Sequence, residues 1–178
     1  MASTKASDKN QKAELHAIMS TEVAKSLITG GSKDQDQPGV AGAVTNNRGQ
    51  TLQLLATTSW IGEFYTAPPA SVGAGVEVQF AHGGSKGALI YGQQQSSSNA
   101  AAYLLAWSFG NGPPRVYVGC GPVSEVYYSG WENAALTNLN SSGAESSASN
   151  GGTSSKAQAA IQDESGTFPL GVVVASFY

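Results

Sequence analysis

The sequence is poor in the residues around which most enzymes and small scaffolds are built. It has one cysteine, Cys120, and two histidines, His16 and His82, in 178 residues. A single thiol excludes an internal disulfide framework and any zinc site made from several thiolates. Two imidazoles leave little from which to build a metal centre or a Ser–His–acid triad, so neither a metal nor a cofactor is expected. Charge is scarce too. Asp, Glu, Lys and Arg make up 12% of the chain, about half the share of an average soluble domain. The 9 Lys and Arg residues are scattered and the net charge is −3. Nucleic acid is therefore not an expected partner, because phosphate binding needs clustered cations. No apolar run approaches the roughly 18 residues of a spanning helix, and the first residues lack the apolar stretch of a secretory signal. The expectation is a soluble, cytoplasmic protein.

What is present is glycine, 22 residues of it, with a 40% hydrophobic share and an abundance of Ser, Thr, Asn and Gln. That composition describes a turn-rich β protein with a core of ordinary size. Residues 1–9 are small and polar and read as a mobile tail. Residues 10–31 contain the one long helical pattern: Leu15, Met19, Val23 and Leu27 recur at four-residue spacing, Ile18 lies beside them, and Gly30 and Gly31 follow as a stop. Residues 32–39 are polar and form a linker. From Val40 the chain changes to short apolar runs broken by Gly, Pro and Asn. Residues 40–45, 51–57, 76–82, 87–91, 101–109, 115–119, 125–128 and 170–177 read as strands, with a tight turn at 46–49. Residues 131–140 suit a short helix, whereas 93–99 and 141–155 are of low complexity and read as loops, the second of them mobile. The expected fold is mainly β, a single antiparallel β-sandwich over 40–178 preceded by one N-terminal α-helix.

Catalytic motifs are absent. His82-Gly83-Gly84-Ser85 superficially matches the oxyanion turn of esterases, but no G-x-S-x-G elbow accompanies it. The Gly-rich turns at 83–87, 110–112 and 119–121 do not lead into helices, as phosphate loops do. Nothing favours a pair of carboxylates such as Glu63 and Glu132 for glycoside cleavage. Cys120, between two glycines, has no basic activator nearby except Arg115. No enzyme activity is expected. The aromatic residues are more informative. Trp60, Phe64 and Tyr65 fall in a loop-like segment ending at Pro68-Pro69, and Tyr127, Tyr128 and Trp131 form a second group. Both groups are candidate ligand-binding residues, since loop aromatics stack on sugars or sit at membrane interfaces. Tyr91, Tyr103 and Trp107 read as core.

Over residues 40–178 the string of short motifs resembles the plant jasmonate-induced protein family. It runs through Thr45-Asn-Asn-Arg-Gly-Gln-Thr-Leu52, Trp60, Tyr65, Pro68-Pro69, Phe80-Ala-His82 and Gly87-Ala-Leu-Ile-Tyr91. It continues through Leu105-Ala-Trp107, Val116-Tyr-Val-Gly-Cys-Gly-Pro122, Trp131-Glu-Asn133, Leu139-Asn-Ser-Ser-Gly143 and Val174-Ala-Ser-Phe177. That resemblance implies a stress- or defence-responsive plant protein without catalytic residues. In layout, a helix ahead of a glycine-rich sandwich resembles actinoporins, and the sandwich alone resembles aegerolysins. The actinoporin likeness implies a membrane-inserting N-terminal helix and an aromatic cluster that engages choline head groups. Lys12, Glu14, Glu22 and Lys25 interrupt the apolar face here, and Gly110-Asn-Gly-Pro-Pro114 stands where actinoporins are dense in Tyr and Trp. The leading expectation is a non-enzymatic β-sandwich protein that binds a glycan or small ligand. Two alternatives accompany it. In one, the chain acts on lipid membranes through Leu15, Ile18, Met19, Val23 and Leu27. In the other it self-assembles into a homo-oligomer, because few charges guard its strand edges.

Overall fold

The computed structural model describes Ser26 and residues 38–94, 100–164 and 169–178. The tail, the N-terminal helix and most of the linker expected before Val40 lie outside these residues, apart from Ser26, which is helical and exposed, and from Pro38 and Gly39. Nine strands make up most of the rest: β1 (Gly39–Asn46), β2 (Leu52–Thr66), β3 (Ser71–Val72), β4 (Glu77–Gly92), β5 (Ala101–Ser108), β6 (Arg115–Pro122), β7 (Glu145–Asn150), β8 (Ser155–Asp163) and β9 (Leu170–Phe177). Two helices, α1 (Val123–Val126) and α2 (Trp131–Asn140), lie between β6 and β7. The expected helix at 131–140 is α2.

The two layers come from one branched sheet. The long strand β4 pairs with β2 on one side along most of its length. On its other side it pairs with β1 through Glu77–Gly83 and then with β5 through Lys86–Gly92. One branch continues from β1 to β9, β8 and β7, and the other from β5 to β6. The fork coincides with a tight crossing of β2 and β4 that only glycine allows. Gly62 and Gly84 have φ of 110° and 108°, a region that L side chains avoid. A Cβ at Gly62 would lie 1.9 Å from the Gly83 carbonyl oxygen, and one at Gly84 would lie 2.4 Å from that of Ile61.

Alternation decides which side chains fill the space between the layers. Leu89, Tyr91, Tyr103, Leu105 and Trp107 face inward with Val40, Val44, Phe80, Ile161, Val173 and Phe177. Their neighbours Ala88, Ile90, Ala102, Leu104 and Ala106 face outward, where Val123, Trp131, Ala135 and Leu139 of the helices cover them. Tyr91, Tyr103 and Trp107 are thus core residues, as expected. The Tyr103 ring stacks on Phe177 with centroids 4.8 Å apart, and its hydroxyl donates to the Tyr178 carbonyl at 2.8 Å.

Several expectations need correction. Residues 125–128, read as a strand, fall in α1 and the bend after it, and the glycine runs at 83–87 and 119–121, read as turns, lie within β4 and β6, the second leading into α1. The sandwich is not wholly antiparallel: β1 and β9 run parallel from Gly39 opposite Leu170 to Asn46 opposite Phe177. Sheet order explains this, since the closing strand returns beside the first one after the whole domain has intervened. The segment with Trp60, Phe64 and Tyr65 belongs to β2, which reaches Thr66; its backbone is held by β4, so irregular side-chain spacing does not make it a loop. The Ser-rich stretch after Ser141 contains β7, whose ladder with β8 is regular from Glu145–Ala160 to Asn150–Ser155. Low complexity hid a strand whose small side chains alternate without the usual apolar signal.

Candidate functional site

The two aromatic groups read from the sequence have different fates. The first is dispersed. Trp60 packs on the outward cluster beneath the helices. Phe64 turns into the interlayer core, edge-on to His82 at 5.0 Å and to Phe80 and Trp107 at 6.0 Å. Tyr65 lies over Gly83, where any Cβ would collide with its ring, and packs against a separate cluster that includes Ala41, Ala43, Val172 and Val174.

The second group stays together. After β6, Pro122 leads into the single turn α1, and Ser129 and Gly130 then redirect the chain into α2. The bend leaves a depression of about 380 Å³ lined by Tyr127, Tyr128, Ser129, Gly130, Trp131 and Glu132. Tyr127 and Tyr128 are 44% and 45% exposed, two of the four large hydrophobic side chains in the open among the described residues. Trp131 is 6% exposed; it anchors the first turn of α2 on the outward face of β4 and β5 and forms the fixed side of the depression. No lysine or arginine lines the depression, and Glu132 gives it negative character.

Tyr117, which the sequence does not single out, packs on the same outward cluster as Trp131 without lining the depression itself. Its hydroxyl accepts from Asn138 Nδ2 of α2 at 3.4 Å, and burial, with Tyr128 and Cys120 nearby, pushes its ionisation upward. The signal was there in strand alternation: Val116 and Val118 point into the core, so Tyr117 must point out toward the helices. Arg115, at the start of β6, is committed to the carbonyl of Asn140 at the end of α2.

A second polar constellation lies at the fork. His82 is fully buried. Gly84 offers only a carbonyl, so Nδ1–H donates to it at 3.4 Å, and Nε2 accepts from the Ser59 hydroxyl at 3.0 Å. Burial lowers the imidazole pKa to about 4, against a weaker opposing effect of the Gly84 contact. Ser59 and His82 are within the reach of a nucleophile and its base. Yet the far nitrogen meets a carbonyl where a triad has a carboxylate, and so acidic an imidazole is a poor base near neutrality. The geometry is that of a hydroxyl satisfying a buried ring. Among the described residues no group of three or more His, Cys, Asp or Glu is placed to hold a metal ion, and Cys120 is a half-buried free thiol. The N-terminal residues Leu15, Ile18, Met19, Val23 and Leu27 lie outside the described residues.

No protein-family model matches the sequence, and no curated protein matches it; the resemblance to jasmonate-induced proteins therefore has no support at the level of sequence. Solved structures do match. The lipid binding protein Nakanori has a similar fold, with a TM-score of 0.68 at 19% identity over 97% of this chain and 79% of its own. The Xerocomus chrysenteron lectin XCL aligns with a TM-score of 0.47 at 16% identity over 80% of this chain and 99% of its own. At such identities the likeness concerns architecture: this chain has a mainly β, open sandwich fold similar to that of Nakanori.

Proposed function

We propose that this chain is a non-enzymatic binding protein that docks a lipid head group bearing a quaternary ammonium in the depression between α1 and α2. The observation that carries this reading is the pair Tyr127 and Tyr128, each nearly half exposed beside Trp131 and Glu132, with no cation in the lining. Tyrosine side chains are amphipathic and suit contacts in which one end is apolar and the other wet. Their ring faces attract a diffuse cation, and a neighbouring carboxylate adds to that attraction. An anionic ligand finds nothing here to pair with. The fold's likeness to a lipid binding protein supports the reading. The protein reaches the membrane from solution in the cytoplasm, and a stress or defence role, as the jasmonate-induced resemblance implies, is the setting we propose for it.

The test is co-sedimentation with phosphatidylcholine vesicles, compared with vesicles whose head groups lack the trimethylammonium. Wild-type protein is expected to pellet with the first and not with the second. Tyr127→Ala with Tyr128→Ala should weaken binding by at least about tenfold, or roughly 1.4 kcal/mol, without changing the melting temperature, because both side chains are exposed. Equal pelleting with both vesicle types would reject the head-group assignment. Binding to a glycan panel that the same double variant abolishes would move the site to the sugar reading.

A further inference from the structure

The inner neighbour of β2 is β4, and among the described residues little pairs with its outer side. β3 covers only Leu52 and Gln53, with one further bond from the Leu54 amide to the Ala70 carbonyl. From Leu55 to Thr66 no other described strand pairs with that side. An unpaired strand edge is a row of donors and acceptors that natural proteins blunt with lysine, proline, bulges or a covering element. Between Leu55 and Thr66 there is no lysine, arginine or proline, and the only charged residue is Glu63. Bulges do interrupt the strand, at Leu54/Ala56, Ser59/Ile61, Ile61/Glu63 and Phe64/Thr66. They leave one regular stretch, Ala56 to Ser59, opposite Ile90 to Gly87. That stretch, Ala-Thr-Thr-Ser followed by Trp60, is uncharged and strand-forming.

We propose that this edge pairs with the same edge of a second copy of the chain, antiparallel and centred on Thr58. A two-fold axis normal to the sheet keeps each face on its own side, so residues of like parity must oppose one another. Centring on Thr58 then sets Thr57 of each copy against Ser59 of the other within the regular stretch, and leaves Ala56 and Trp60, which share the outward cluster, at its two ends, Trp60 at the bulge between Ser59 and Ile61. A second copy is the partner whose edge necessarily matches in length and in lack of charge. The same symmetry has a functional consequence. The helices α1 and α2 lie on that outward face, so the dimer shows both tyrosine depressions to one side. Pairing does not depend on the head-group reading; the bivalency does, and it would raise avidity for a surface without any new contact.

A ladder this short buries less than a standard interface, so the dimer dissociates in the micromolar range or above, roughly. Sedimentation velocity of the full chain without lipid, up to about 200 μM, should show a concentration-dependent shift from 18.2 kDa to twice that mass. Thr58→Lys and Thr58→Glu should each be monomeric, since like charges then face each other across the axis. Mixing the two should restore the dimer. In parallel, amide exchange of wild-type residues 55–60 should slow as concentration rises, which needs no variant to fold. A wild-type chain that stays monomeric throughout, a dimer indifferent to both variants, or unchanged exchange on this strand would each overturn the proposal. A dimer that forms but binds vesicles no better than the Thr58→Lys monomer would leave the pairing intact and count against the head-group reading.

Discussion

At the scale of single residues, His82 is the group most out of keeping with its surroundings. It is enclosed by Phe64, at 5.0 Å, and Trp107, at 5.4 Å, and its folded pKa is about 4 against 6.5 for an unperturbed imidazole. The unfolded chain therefore holds the extra proton between those values. The contribution of His82 to stability is complete above pH 6.5 and is lost progressively as pH falls toward 4. At about 1.4 kcal/mol per pH unit, the loss amounts to roughly 3 kcal/mol. Carboxylates titrate in the same window, so the comparison must be with a variant. Urea unfolding of wild type and of His82→Gln at about pH 7 and about pH 4.5 should show the wild type losing more stability than the variant by about that amount. Equal losses would mean that the imidazole is protonated in the folded state without penalty. The sequence places His82 at a strand end before a glycine turn, but β4 runs on through Gly83 and Gly84 to Gly92, so the histidine is a mid-strand residue buried beside the crossing at Gly62, which no local pattern announces.

At the scale of elements, the ends of the two branches, β6 and β7, meet without a shared ladder. Val116 donates to the carbonyl of Gly143 at 2.8 Å, and Val118 donates to the Ser146 hydroxyl at 3.1 Å. A side chain of β7 thus stands in for the strand that β6 lacks. Ser146→Ala removes the acceptor and should cost about 1 kcal/mol, with faster exchange of the Val118 amide. Ser147→Ala, on the exposed face of the same strand, should change neither quantity. If both variants behave alike, the seam is held by packing rather than by that bond. This element also shows what can be read from a sequence. Strands with apolar alternation, such as β4 and β5, are legible because one face must be buried. α2 is legible because Trp131, Ala135 and Leu139 repeat at helical spacing. β7 is not, since serine and alanine give no contrast between faces and only the partner strand defines it. The parallel pairing of β1 and β9 is equally hidden, because pairing across the whole domain leaves no mark on local spacing. The candidate site divides in the same way. Tyr127, Tyr128 and Trp131 sit within five residues around one helical bend and stay together, whereas Trp60, Phe64 and Tyr65 lie along a bulged strand that turns them to different clusters.

At the scale of the whole molecule, the proposed head-group site belongs to a chain of net charge −3. Long-range attraction to an anionic surface requires a basic face, worth about 1 kcal/mol for each cation held near it. The cations among the described residues are spread out and partly engaged: Arg48 donates to the Ser154 carbonyl at 2.8 Å, Arg115 to that of Asn140, and Lys156 lies over the Tyr178 ring at 5.7 Å. No described helix is long and apolar enough to cross a bilayer. The proposed capture by the tyrosine depression acts at short range, and its dependence on conditions differs from that of charge steering. Screening of exposed charges grows steeply as the Debye length falls from about 10 Å at 0.1 M salt to about 3 Å at 1 M. A cation held against ring faces and one carboxylate loses little over that range. Binding to phosphatidylcholine vesicles is therefore expected to change by less than about twofold between 0.1 and 1 M salt, and adding anionic lipid at constant choline content should weaken it or leave it unchanged. A steep fall with salt, or a rise with anionic lipid, would place the membrane contact on the scattered lysines and arginines instead of the aromatic bend.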